Sequence, residues 1–340
     1  MISTLPTDCL NKIFEFLEED KATLHSCLLV SRLWCRISVE ILWRNIWNFK
    51  WFNLAQIIRT LIACLPKESK DFLINNGITS IPISKPSLFN YASFCKVLSI
   101  PYLLINYCPY FHILTANSKN YLITQEILKM FMNQISSLKQ MDICFDIDHY
   151  AYYNEFYTTY NFLNFINFPG ANDCLKNLSE LICCSYIDSE FFLQLSKICH
   201  NINSLVIKFE ETVSVGINDL IFCQNNLKSI SFSFNEGIFN RFRDDILNCF
   251  KTLTKHSNTL KKLFLFGISL PPIFINITFS NLRILKLTSV EDVDILIKFL
   301  VNNGKNLENI NLMIHCDNKN SLDLAIAEYC PNLKSLIHKN

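Results

Sequence analysis

Asn281-Leu282-Arg283-Ile284-Leu285-Lys286-Leu287 and Asn306-Leu307-Glu308-Asn309-Ile310-Asn311-Leu312 are one pattern written twice. Both fit an L-x-x-L-x-L frame, and its last two apolar positions obey the period of two that places alternate side chains on one face of a strand. Working outward, the frame returns at Leu138/Met141/Ile143, Leu178/Leu181/Cys183, Ile202/Leu205/Ile207, Leu227/Ile230/Phe232, Leu260/Leu263/Leu265 and finally Leu333/Leu336. Steps between first positions are 40, 24, 25, 33, 22, 25 and 26 residues. Between frames, Ser189–Cys199, Phe242–Lys255, Val293–Asn302 and Leu322–Tyr329 carry apolar residues three or four apart, the helical period. A strand–helix unit of this size hides its apolar face only against its neighbours, so the units must stack.

The first fifty residues keep the helical period instead. Leu5-Pro6-Thr7-Asp8 is a helix start, with Pro and small polar residues where the first N–H groups lack partners. Leu10, Ile13, Phe14 and Leu17 follow at i, i+3, i+4 and i+7 as one apolar stripe, which Glu18-Glu19-Asp20 ends. A second helix is expected over Ala22–Val30, and a third from Ser31 through Trp34, Ile37 and Ile41 to Leu42-Trp43. Three short helices make a small core, which leaves apolar surface for a partner. The string Leu5-Pro6, Leu10, Ile13-Phe14, Leu17, Leu24, Val30-Ser31, Trp34, Leu42-Trp43-Arg44 resembles an F-box over about residues 2–47. Ser31 stands where many members carry Cys, and the spacing of Val30 to Trp34 is intact. The resemblance implies that residues 1–47 dock on a Skp-type adaptor and through it on a cullin ubiquitin ligase. The implied adaptor-binding residues are Leu5, Pro6, Leu10, Ile13, Phe14, Leu17, Val30, Trp34, Leu42 and Trp43. From the residues alone, a small helical cap on the adjoining domain is the alternative.

Most of the steps between frames fall in the roughly 20–29 residues of leucine-rich repeats. Cys199-His200-Asn201-Ile202 and Cys330-Pro331-Asn332-Leu333 resemble the Cys-Pro-Asn-Leu repeat end of F-box proteins with leucine-rich repeats, where the thiol is a small buried hydrophobe. The expected fold is α/β: a three-helix F-box over 1–47, connecting helices with a degenerate first repeat over 48–134, and a leucine-rich-repeat solenoid over 135–340. The solenoid would be a curved parallel sheet with outer helices, and a Tyr-, Asn- and Phe-rich insertion occupies 149–168. Within 48–134, Leu54–Leu65 and Thr124–Ile135 read as helices, Phe94–Ile100 as a strand, and Ile74–Lys85 as a surface loop. No linker separates the N-terminal unit from the rest, so a fused, rigid arrangement is expected.

Composition narrows the function. With 31 basic and 30 acidic side chains the formal charge is +1, which supplies no footprint for nucleic acid. Only 6 Gly occur, and no phosphate-binding loop or G-x-S-x-G can be found. The 28 Phe and abundant Asn read as much like AT-rich codon usage as like function. Fifteen cysteines without a C-x-x-C pair, behind an N-terminus with no basic or apolar signal region, point to free thiols. Cytoplasm or nucleus is the expected compartment, which makes the N-x-[ST] triplets at Asn177 and Asn276 chance matches. Val97–Ser118 and Leu263–Leu282 are uncharged and long enough to span a bilayer. Pro101, Asn106, Pro109 and His112 interrupt the first, and Pro271-Pro272 and Asn276 the second, so buried strands joined by loops are expected and no membrane partner.

Chemistry finds little purchase. Asp146-Ile147-Asp148-His149 offers ligand types, but no second cluster completes a coordination shell. Cys183-Cys184 with Cys199-His200 suggests zinc, yet adjacent cysteines on a strand point to opposite faces. Asp244-Asp245 and Glu210-Glu211 read as a helix start and an exposed loop. No Cys/His pair has the setting of a nucleophile. No catalytic residue, metal or cofactor is therefore expected, and the reading is a non-enzymatic substrate receptor of a Skp–cullin–F-box ligase. A repeat scaffold without ligase role is the alternative; a membrane-associated or enzymatic protein is the third. The target would lie on the concave face, where residues between the frame leucines point outward: Lys208, Lys262, Phe264, Phe266, Lys286 and Asn311. At about 4.8 Å between strands, Phe264 should neighbour Lys286, and Lys262 should sit beside Ile284. The two Phe either bind the target or lie buried under the C-terminal segment or the 149–168 insertion.

Overall fold

The computed structural model describes residues 5–48, 51–78, 81, 87–104, 117–144, 164–235, 237–314 and 319–339. They fall into two compact units, residues 1–141 with 167–175, and residues 142–166 with 176–340.

The first unit opens with α1 (Thr7–Glu15), α2 (Lys21–Cys27) and α3 (Arg32–Arg44). Leu10, Phe14, Leu24, Cys27, Ile37, Ile41 and Leu42 form their core, and Leu17, Leu28, Trp34 and Trp43 pack against it half-buried. Then come α4 (Trp51–Cys64), α5 (Lys67–Asn75), α6 (Tyr91–Phe94), β1 (Val97–Ser99), α7 (Ile100–Leu104), α8 (Asn117–Gln134), β2 (Gln140–Asp142) and α9 (Ala171–Leu175). The first three helices are tied directly to α6 and β1. The buried Trp47 indole donates to the Val97 carbonyl at 2.8 Å, the Lys96 amide donates to the Arg44 carbonyl at 2.8 Å, and the Trp43 ring lies 4.4 Å from Tyr91. The Ile74–Lys85 loop needs correction at its start, where α5 runs to Asn75 and Ile78 and Ile81 are buried; residues 79–80 and 82–85 lie outside the described residues.

The second unit is an open sheet of parallel strands in chain order: β3 (Glu180–Cys184), β4 (Ser204–Phe209), β5 (Ser229–Phe234), β6 (Lys262–Phe266), β7 (Ile284–Val290), β8 (Asn309–Ile314) and β9 (Ser335–Lys339). The frames pair in register, so that Leu181, Leu205, Ile230, Leu263, Leu285, Ile310 and Leu336 make one row. All of these are buried except Leu336, which is exposed on the last strand. Between the strands run α10 (Ser189–Ile198), α11 (Gly216–Phe222), α12 (Ile238–Arg241), α13 (Arg243–Leu253), α14 (Val293–Asn303) and α15 (Lys319–Tyr329).

One backbone device repeats at each strand start. The carbonyl of Ser179 accepts from the amides of Asn203 and Ser204, and the carbonyls of Asn203, Lys228, Lys261, Arg283 and Glu308 do the same for the next strand. The Asn that precedes the frame explains itself here. Asn281, Asn306 and Asn332 donate their side-chain amides to the carbonyls of Asn258, Ser280 and Lys305, one repeat back, at 2.6–2.8 Å. Two fully buried amides close the remaining turns. Gln224 accepts from the Ile202 amide and donates to the carbonyls of Cys199 and Leu220; Asn303 accepts from the Phe279 amide and donates to Ile277 and Phe299. Burying an amide is tolerable only when its hydrogen bonds are made in this way.

Phenylalanine fills the space between strands and helices. Phe209, Phe232, Phe250, Phe274, Phe279 and Phe299 run as a chain of ring contacts with centroids 5.3–6.3 Å apart. All six are buried. A share of the Phe content read as codon usage is thus core.

The expectation of free thiols also needs correction. Cys144 and Cys184 are joined in a disulfide with their Cα atoms 5.0 Å apart. The Ile143 amide donates to the Ile182 carbonyl, which sets Cys144 beside the end of β3, on the side opposite the buried Cys183. Among the described residues no helix is long and apolar enough to cross a membrane. Leu263–Leu282 is strand β6, a turn and the short helical turn Pro272–Asn276. Part of Val97–Ser118, all of Asp146–His149 and most of the insertion lie outside the described residues.

Candidate functional site

Two surfaces remain once the cores are filled. The first is on the N-terminal helices. Asp20 caps α2 by accepting from the Thr23 amide at 3.0 Å and hydroxyl at 2.6 Å, bonds that hold its carboxyl below the usual carboxylate range. Ser31 caps α3 by accepting from the Trp34 amide at 3.2 Å. A thiol is a weak acceptor by comparison, so Ser at this position strengthens the helix start. Phe14 meets Trp34 edge-on at 5.1 Å, and Arg44 reaches Glu15 and Glu18 at 3.5 and 3.7 Å.

These helices divide the ten residues expected to face a partner. Leu5, Pro6, Ile13 and Val30 are exposed. Leu17, Trp34 and Trp43 are half-buried, and Leu10, Phe14 and Leu42 are buried. The last three cannot touch a partner directly; they hold the helices that present the others. Three exposed apolar residues were missed: Phe16 (90% exposed), Leu29 (91%) and Leu33. Phe16 comes three residues after Ile13, so both lie on one flank of α1, beside the stripe that carries Leu10, Phe14 and Leu17.

The second surface is the sheet face turned away from the core of the second unit. One row reads Ile182, Val206, Ser231, Phe264, Lys286, Asn311 and Ile337 across adjacent strands. The row before it reads Glu180, Ser204, Ser229, Lys262, Ile284, Asn309 and Ser335. The row after it includes Cys184, Lys208, Ser233 and Phe266. Phe264 therefore neighbours Lys286, and Lys262 sits beside Ile284. Both Phe are half-buried, 6.5 Å apart, and the Lys286 ammonium stands over the Phe266 ring at 4.9 Å.

Among the described residues no group of three His, Cys, Asp or Glu could hold a metal. Burial pushes the thiols of Cys95, Cys174 and Cys249 up to about 12, and those of Cys223 and Cys330 to about 11, so none is a ready thiolate. Cys183 lies in the core and Cys184 is bonded to Cys144, which separates them from Cys199 as a ligand set.

Residues 2–48 match the family model described as F-box-like. Comparison with curated proteins finds no match.

Proposed function

We propose that the chain is the substrate-recognition subunit of a Skp–cullin–F-box ubiquitin ligase, working in the cytoplasm or nucleus. The observation that carries this reading is the F-box-like match, laid over a three-helix unit that leaves Leu5, Ile13, Phe16, Leu29 and Val30 exposed. Those side chains dock the Skp-type adaptor, and Leu10, Phe14 and Leu42 set their positions from the core. The repeats are leucine-rich repeats, and their sheet face holds the target protein through Lys208, Lys262, Phe264, Phe266, Lys286 and Asn311. The chain performs no chemistry of its own; it raises the concentration of the target at a ubiquitin-charged enzyme. In a reducing compartment Cys144 and Cys184 would be carried as two thiols. Neither nucleic acid nor membrane is a partner in this scheme.

Replacement of Leu5 and Pro6 by Ala tests it. Both are exposed at the start of α1, so adaptor co-purification should be lost with the melting temperature unchanged. Undiminished capture by the double variant refutes the adaptor assignment. Captured partners that are never ubiquitylated by the reconstituted ligase would replace the receptor with a scaffold.

A further inference from the structure

We infer that the sheet face of the second unit takes an acidic peptide segment that carries an apolar side chain beside its carboxylates. The inference rests on the receptor reading for its biological sense, and it names the chemistry of the target. Across the outward rows of β4 to β8 the charged residues are Lys208, Lys262 and Lys286, with no Asp or Glu among them. Two residues beyond Lys208 comes the buried Glu210, and Glu180 lies three strands away from Lys262. At about 4.8 Å per strand that is roughly 14 Å, beyond the screening length of about 8 Å at physiological salt. Lys262 is exposed and makes no ion pair among the described residues.

The residues just before the strands add to this field. Arg283 and Lys334 are both held by Glu308, at 2.9 and 2.7 Å, and hydrogen bonds from Lys334 and Arg283 keep that carboxyl below its usual range. Lys228 and Lys261, on the neighbouring repeats, are exposed and have no such acid among the described residues.

Two aromatic rings sit inside the cationic cluster. Phe264 has Lys262 two residues before it on the same strand face and Lys286 beside it on the next strand. Phe266 carries the Lys286 ammonium over its ring, which steadies the lysine and leaves its N–H groups for an anion. Ser229 and Ser233, half-buried on the adjoining strand, offer hydroxyl donors on either side of the buried Ser231. Residues two apart in an extended peptide are about 6.6 Å apart, the same separation as Lys262 from Phe264. A segment with an apolar residue on Phe264 thus brings carboxylates to both lysines. Charge complementarity decides for a peptide of this type. A nucleic acid would need phosphate contacts along its whole path, and the pair of half-buried Phe beside Lys262 and Lys286 offers a short one.

The test is selection of random displayed peptides of about a dozen residues on the full chain. Enriched sequences should place Asp or Glu within two positions of Leu, Ile, Met or Phe. A synthesised winner should lose about tenfold or more in affinity on Lys262→Glu, on Lys286→Glu, and when its own acids become Asn or Gln. Lys262→Glu touches an exposed side chain, so an unchanged melting temperature keeps the result readable. A selection without acidic enrichment, winners that bind Lys262→Glu and Lys286→Glu as tightly as the native chain, or an oligothymidylate that binds as tightly as the winners would overturn it. Adaptor capture is read separately. Acidic peptides bound by a chain that captures no adaptor leave this inference standing and remove the receptor reading; the reverse outcome removes this inference alone.

Discussion

Phe16 and Leu29 are large, apolar and about nine-tenths exposed, in the turns after α1 and α2. Fully burying one such side chain is worth about 1.5–3 kcal/mol, so an adaptor that covers both gains about 3–6 kcal/mol, less the ordering cost. Phe16→Ser together with Leu29→Ser should therefore weaken adaptor binding by about 3 kcal/mol, roughly 150-fold in Kd. The fold should hardly notice, since surface substitutions cost within about 0.5 kcal/mol. Titration calorimetry of the full chain against the adaptor, with a thermal melt of each variant, reads both quantities. Phe14→Ala is the contrasting change: its ring is buried against Trp34, and its loss should cost about 3–5 kcal/mol of stability. Adaptor affinity within threefold of the native value for the double Ser variant, with an unchanged melt, would falsify the placement of these residues at the interface.

The core of the second unit gives two further expected outcomes. Asn303→Leu strands the Phe279 amide, now bonded at 2.6 Å, and should cost about 1–3 kcal/mol in a denaturant titration; a loss below about 0.5 kcal/mol would mean water replaces the amide. Burial holds His256 below the usual imidazole value of 6.5, against the opposing pull of its bond to the Ile221 carbonyl at 2.9 Å. The unfolded chain then takes up a proton that the folded chain refuses, so stability is full above pH 6.5 and falls as the pH drops through the window beneath it. His256→Gln should flatten that part of the profile; identical slopes for variant and native chain would contradict the account.

The repeats were legible because the frame contains its own phase. Once Leu263 and Leu265 face inward, Lys262, Phe264 and Phe266 must face outward, and the pairing of Phe264 with Lys286 comes from aligning two frames. The features that escaped are too short to show a period or depend on register across a long step. Helices α9 and α11 have 5 and 7 residues, barely one or two turns. The Cys144–Cys184 bond spans 40 positions; the frame turns Cys183 inward and Cys184 outward, but nothing in the sequence picks out Cys144 as the partner. The Phe content failed for another reason: a count carries no geometry, and the ring chain from Phe209 to Phe299 appears only after the strands stack.

The proposed adaptor face was harder because core and exposed positions are drawn from the same residue types. On α1 the apolar stripe is Leu10, Ile13, Phe14 and Leu17, and no periodicity separates the side chain that ends inside from the one that ends outside. The structure divides them by angle. Leu10, Phe14 and Leu17, four and three residues apart, turn toward α2 and α3, whereas Ile13 and Phe16 turn to the flank. Phe16 caps α1 off the stripe that the periodicity marks, and Leu29 lies in the turn after α2. Their exposure carries the information instead. Under the proposed function the adaptor is what covers Phe16 and Leu29, which is the content of the double Ser variant.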